Sequence, residues 1–183
     1  MFEKTVIFLI IFFTALLQMS LFSNLLFWGI TPNLMLLLVL FWITHEGFVG
    51  AFFKLIFAGW MLDLFTFQPI GINIFIFAIL GFLSDSFAKR FLVVAKNWQT
   101  AILLFLVAIN TLFFELMLFL LAKLGTYFNL VEITKNINFA SNVSALAKKT
   151  IINMLFFFLI SLPLLKIEQF LNLRRNRKKL SYV

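Results

Sequence analysis

Residues 98–122 read WQTAILLFLVAINTLFFELMLFLLA, an apolar run interrupted by a single charge, Glu115. At 1.5 Å per residue such a helix is about 37 Å long, enough to cross the roughly 30 Å hydrocarbon core of a bilayer. Further apolar runs lie on either side of it, at 5–28, 33–44, 48–67, 70–87 and 145–165. The chain therefore reads as an all-α integral membrane protein. Residues 1–172 form one bundle of about six transmembrane helices, followed by a basic tail at 173–183.

Composition leads to the same class. Apolar residues make up 63% of the 183 and charged residues 12%, whereas a soluble domain carries about 25% charged residues. The mean hydropathy is +1.09. The net charge of +8 does not point to nucleic acid, because the cations sit at the edges of apolar runs and in the last ten positions, where lipid headgroups would meet them. With no cysteine and one histidine, the chain has no disulfide, no thiolate site and little metal chemistry, and no cofactor is expected.

The breaks between runs have local causes. The run 5–28 follows one cation, Lys4, and lacks a small-x-small cleavage pattern behind it, so it reads as a retained span. Gly29-Ile30-Thr31 makes a turn, with Thr31 as the cap of the next helix and Pro32 suited to its first position. The run 33–44 is short, and His45-Glu46-Gly47 ends it as a solvated turn. Pro69 closes 48–67, since proline disfavours a helical residue before it. Residues 123–144 form the longest polar stretch and the predicted outer loop. Pro163 lies near the end of the last run.

Orientation follows from the cations. With six spans and a cytoplasmic N-terminus, eleven of the fifteen Lys and Arg residues fall inside and only Lys123, Lys135, Lys148 and Lys149 outside, as the positive-inside rule requires. If 33–44 merely dipped in and returned, the tail would lie across the membrane from Lys4. Both termini are thus expected in the cytoplasm, and Arg174, Arg175, Arg177, Lys178 and Lys179 should meet anionic lipid or a partner there.

Three acids lie inside apolar runs: Asp63, Asp85 and Glu115. A charged side chain in a span costs about 2.5–3.5 kcal/mol on insertion scales, so such residues face the bundle interior or a cavity. Helical spacing puts Phe52, Ile56, Gly59 and Asp63 on one face and Lys54 on the opposite side. Ala101, Ala108, Thr111, Glu115 and Ala122 form a second stripe. Asp63 and Glu115 fall in the outer half, where they are expected to approach each other or share a proton. Asp85 is read as an interfacial acid facing water or Lys89. Interhelical packing is the first reading of these acids, an ion or substrate pathway the second, a partner contact the third. Enzyme motifs are absent: His45-Glu46 lacks the second histidine of a zinc-protease helix, and no phosphate loop or Ser–His arrangement is present.

One stretch carries a family likeness. Pro32-Asn33-Leu34 opens a Leu-rich run, Gly47 and Gly50 follow, then Gly59-Trp60-Met61-Leu62-Asp63 and Pro69-Ile70-Gly71. This pattern, with the size and the basic tail, resembles the bacterial rod shape-determining MreD family. The resemblance implies a non-enzymatic inner-membrane component of the elongation complex, working with MreC, MreB, RodA and a penicillin-binding transpeptidase in lateral peptidoglycan synthesis. It also implies that Pro32, Asn33, Gly59, Asp63 and Gly71 form a structural signature. The family is similar in layout to the substrate-binding subunits of energy-coupling vitamin transporters, which gives the alternative reading. Those subunits dock through an alanine-x3-alanine face on the first helix, whereas here that run has Ala15 alone beside Thr14 and Gln18. An unrelated small transporter or channel is the third reading.

The absence of cysteine makes the topology directly testable. Single cysteines at Thr66 and Asn138 should react with an impermeant maleimide in intact cells, and one at Asn97 should not. Labelling at Asn97 would overturn the six-span arrangement.

Overall fold

The computed structural model describes residues 2–24, 30–66, 69–91, 98–127 and 143–180. These residues are helical almost throughout: α1 (Phe2–Asn24), α2 (Leu34–Thr66), α3 (Ile72–Phe91), α4 (Gln99–Tyr127) and α5 (Val143–Leu180). Four of the five, α2 to α5, are long and apolar enough to cross a membrane. Residues 25–29, which include Gly29 of the predicted turn, the basic stretch 92–97 and most of the predicted outer loop (128–142) lie outside the described residues.

The two runs predicted as separate helices, 33–44 and 48–67, belong to one element that folds back on itself. A straight helix of this length would extend about 50 Å, yet Asn33 and Thr66, at its two ends, line a single pocket. The reversal occurs at Gly47, whose φ of 73° and ψ of 172° lie in a region essentially restricted to glycine. Across the bend, the Lys54 ammonium reaches back to the Glu46 carboxylate and sits 5.2 Å from the centre of the Trp42 ring. His45 and Glu46 are exposed as expected, but they are helical rather than a turn. Lys54 is accordingly held in an ion pair.

The first arm, 34–46, is the post around which the bundle stands. Leu34 to Ile43 are all buried, and a helix that is apolar on every side belongs in an interior. The second arm, 48–66, packs antiparallel to α3. On α3 the buried residues Asn73, Ile76, Phe77, Leu80, Gly81, Ser84, Asp85 and Ala88 recur every three and four positions, the pattern of one helix face. On the second arm the buried face is Ala51, Leu55, Ala58, Gly59, Leu62 and Asp63. Phe52, predicted to share it, is turned outward. On α4 the buried residues are Leu106, Val107, Asn110, Thr111 and Phe114; Ala101 is exposed, so the predicted alanine stripe is rotated from the observed one.

Gly59 decides how closely the second arm and α3 approach. A Cβ on Gly59 would lie 2.7 Å from both the Cα and the backbone nitrogen of Ile74, with no flexible side chain to yield. In lipid, apolar surface gains little by leaving the solvent, so close van der Waals packing at small residues carries much of the association.

At the other end of the chain, α5 runs through Pro163 to Leu180, where a span ending at 165 and a separate tail were expected. Proline removes one backbone hydrogen bond but does not end this helix. The side chains of Arg174, Arg175, Arg177, Lys178 and Lys179 lie outside the described residues, although their backbone continues α5.

Gly59→Ala should destabilise the bundle by about 1–3 kcal/mol, the usual range for overpacking. The measurement is thermal unfolding of the purified protein in detergent. Unchanged melting would mean that the contact with Ile74 is not close.

Candidate functional site

Two helices, α2 and α3, begin inside the protein, and their first N–H groups have no partner within the helix. In a membrane, water is not there to satisfy them. Four side chains do so, Gln18 of α1, Asn33 just before α2, Asp63 of α2 and Asn153 of α5, and together they form a polar zone at one end of the bundle.

At the start of α2, the Asn33 side-chain oxygen accepts the Leu36 N–H at 3.1 Å, the geometry of an N-cap. Asn33, not Thr31, is thus the cap, and Pro32 precedes the helix instead of opening it. Asn33 has the tertiary partners that Thr31 lacks: its own N–H donates to Asn153 Oδ1 of α5 at 2.9 Å. The Met35 N–H donates to Gln18 Oε1 of α1, also at 2.9 Å. Asn153 then donates through Nδ2 to Thr111 Oγ1 of α4 at 3.1 Å, and Thr111 donates to the Val107 carbonyl at 2.8 Å. One buried chain of hydrogen bonds therefore joins α2, α5 and α4.

At the start of α3, Asp63 does the equivalent work. It is fully buried. Its Oδ2 accepts the Gly71 N–H at 2.8 Å, and its Oδ1 accepts the Asn73 N–H at 3.0 Å and Asn73 Nδ2 at 2.8 Å. Gly71 has φ 110°, which favours glycine, and it is this conformation that turns the chain into α3. Gly59, one turn before Asp63, brings the first turn of α3 within the acid's reach. Gly59, Asp63 and Gly71 are thus one device seen from three positions.

Between these caps lies a pocket of about 220 Å³. Gln18, Asn33, Thr66, Asn73, Glu115 and Lys149 are among its walls. Glu115 pairs with Lys149 of α5, so Asp63 and Glu115, expected to approach each other, instead have separate partners. Asp85 lies at the opposite end. Lys89 Nζ is 2.6 Å from its Oδ2, one of the two partners expected, but Asp85 is buried instead of facing water, and a Cβ on Gly47 would come within 3.2 Å of its Oδ1. Among the described residues no three metal-binding side chains converge.

Several of these side chains were not singled out from sequence. Asn153, Asn110 and Ser84 are buried, and Ser84 Oγ donates to Asn110 Oδ1 at 2.7 Å, tying α3 to α4. The available signal was an uncharged amide in the middle of an apolar run, which needs a partner as surely as an acid does. Asn153→Leu should leave the Asn33 N–H unsatisfied, remove the donor to the Thr111 oxygen, and cost about 1–3 kcal/mol. Asn153→Gln, which keeps an uncharged amide with an acceptor for Asn33 and a donor for Thr111, should lose less. The two melting temperatures in detergent are the comparison, and equal losses would contradict the capping role.

Comparison with known proteins places this arrangement. No curated protein and no solved structure matches the chain. The family model for rod shape-determining protein MreD matches residues 2–170. That span takes in α1 to α4, α5 as far as residue 170, the two capped helix starts and the pocket between them, and on it the chain belongs to the MreD family of rod shape-determining membrane proteins.

Proposed function

We propose that this protein is a non-enzymatic scaffold of the cell-elongation complex in the bacterial cytoplasmic membrane. It supports rod shape and lateral peptidoglycan synthesis through contacts with MreC and, beyond it, with MreB, RodA and a penicillin-binding transpeptidase. The family match over residues 2–170 carries this reading. In it the chain crosses the membrane six times, the two arms of α2 counting as separate spans, and both termini are cytoplasmic. The continuation of α5 then presents Arg174, Arg175, Arg177, Lys178 and Lys179 to the inner leaflet or to a cytoplasmic partner.

The use made of polar groups supports a scaffold. Asp63, Asn33, Asn153 and Gln18 are engaged in holding helix ends. The faces left open are apolar: Phe105, Ile109, Leu112 and Leu116 on α4, and Leu155, Leu159 and Leu162 on α5 are all exposed, a surface for lipid or for another transmembrane helix.

The outer pocket favours a second reading, that of a subunit binding a small molecule in a transporter. Against it, Ala15 is fully buried and so is unable to form part of an outward docking face on α1.

Replacing the native copy in a rod-shaped host separates the two. Asp63→Leu, which removes all three acceptor contacts, should insert but weaken assembly by about 0.6–2 kcal/mol, with reduced MreC co-purification at matched expression and rounded cells. Leu64→Ala, on the exposed face next to it, should behave as wild type. Normal shape and undiminished MreC recovery with Asp63→Leu would refute the scaffold role, and normal shape on depletion with a vitamin in the eluate would establish the transporter.

A further inference from the structure

A larger opening lies between α1 and the second arm of α2, at the end of the bundle away from the polar pocket. It encloses about 480 Å³, and its walls change character with depth. Lys4 and Lys54 stand towards the end where α1 begins and α2 turns, and Ile7, Phe57 and Ile11 lie further in. Seven residues of α1, about 10 Å of helix, separate the basic end from Ile11, which is itself fully buried and closes the cleft against the core. Phe8 and Phe57 meet across it at 5.2 Å between ring centres. Gly50 leaves the α2 wall without a side chain near the basic end, and Phe53, 82% exposed, stands at the rim. The opening is sideways, towards lipid.

These walls specify an occupant. It must be anionic at one end and apolar for the rest of its length, and it must enter from the bilayer. The charge at the basic end is definite. Lys54 is shared with Glu46, which takes only part of the three-donor capacity of an ammonium. Lys4 forms no ion pair with a described residue. Among the described residues one positive charge is therefore uncompensated, and a single phosphodiester would balance it. Two lysines at one end of an apolar slot match a lipid with net negative charge better than a zwitterionic one, whose own ammonium would meet them.

We infer that this cleft binds one anionic phospholipid, its phosphate between Lys4 and Lys54 and an acyl chain against Ile7, Ile11 and Phe57. With α1 beginning in the cytoplasm, as the proposed topology has it, this lipid comes from the inner leaflet, where anionic headgroups are abundant. The bound lipid would fill the gap between α1 and the α2 hairpin and fix the angle between them.

The test uses the full chain, delipidated in detergent, so that orientation in a membrane does not enter. Native mass spectrometry is followed while phosphatidylglycerol or phosphatidylcholine with the same acyl chains is added. One phosphatidylglycerol should bind, at least about tenfold more tightly than phosphatidylcholine, and Lys4→Gln should reduce that binding about fivefold. Ile7→Trp, which fills the slot from the α1 side and keeps both lysines, should reduce binding of both lipids. If it fails to give a cooperative melt, Phe57→Trp fills the slot from the α2 side. Lys148→Gln, the same single charge lost from an exposed site at the start of α5, should change nothing. Equal affinity for the two lipids would overturn the inference, as would an equal loss from the Lys148 variant or full phosphatidylglycerol binding by a folded slot-filling variant. A protein dimer that forms in place of the lipid adduct would assign the cleft to a second copy and overturn it equally.

Discussion

A helix that starts inside a membrane protein leaves backbone N–H groups where no water can reach them, and the rest of this structure depends on how that is resolved. The post of the bundle, the first arm of α2, begins at such a place. Its amides are taken by Gln18 from α1, by Asn33 itself, and through Asn33 by Asn153 from α5. Asp63 serves the start of α3 in the same way. Each contact lies on the polar side of an otherwise apolar helix, so each also fixes that helix's rotation about its axis. Packing between smooth apolar surfaces would tolerate many rotations, whereas a donor and an acceptor 2.9 Å apart tolerate few.

The glycines complete this logic in steric terms. Gly59 admits the backbone of α3, Gly71 supplies the dihedral angle at its entry, and Gly47 lets α2 reverse within one residue. Asp63 would have no amides to accept if Gly59 held α3 away. Close approach and hydrogen bonding are therefore not additive contributions here, because the first creates the geometry for the second.

The spans were legible because lipid imposes so coarse a rule: long apolar runs bounded by charge. The reversal between 44 and 48 was legible too, since Gly47 follows two polar residues. The cap at α2 was not. Thr31 and Asn33 are both good caps, Pro32 suits either arrangement, and only the position of Asn153, 120 residues away, decides between them. Rotations were read less well than boundaries: Phe52 and Ala101 were placed inward on periodicity alone, but α2 and α4 are so uniformly apolar that periodicity hardly distinguishes a lipid-facing side from a buried one. The end of α5 was misjudged because a change from apolar to polar residues marks the edge of the membrane, not the end of a helix. The partners of Asp63 and Glu115 were hidden for a related reason. Spacing along one helix says which way an acid points, and nothing about which neighbour has come to meet it.

The bend at Gly47 also bears on how the protein is made. The arm 34–46 is about 20 Å long, too short to cross the hydrocarbon core unaided, and its N-terminal amides acquire their Asn153 partner only after the last helix has been synthesised. Gln18 and the Asn33 side chain come from chain already made when the arm is complete, so two of its first amides can be capped early, whereas the Asn33 N–H has to wait for α5. The last contact at the start of the most buried helix is therefore supplied by the last helix of the chain.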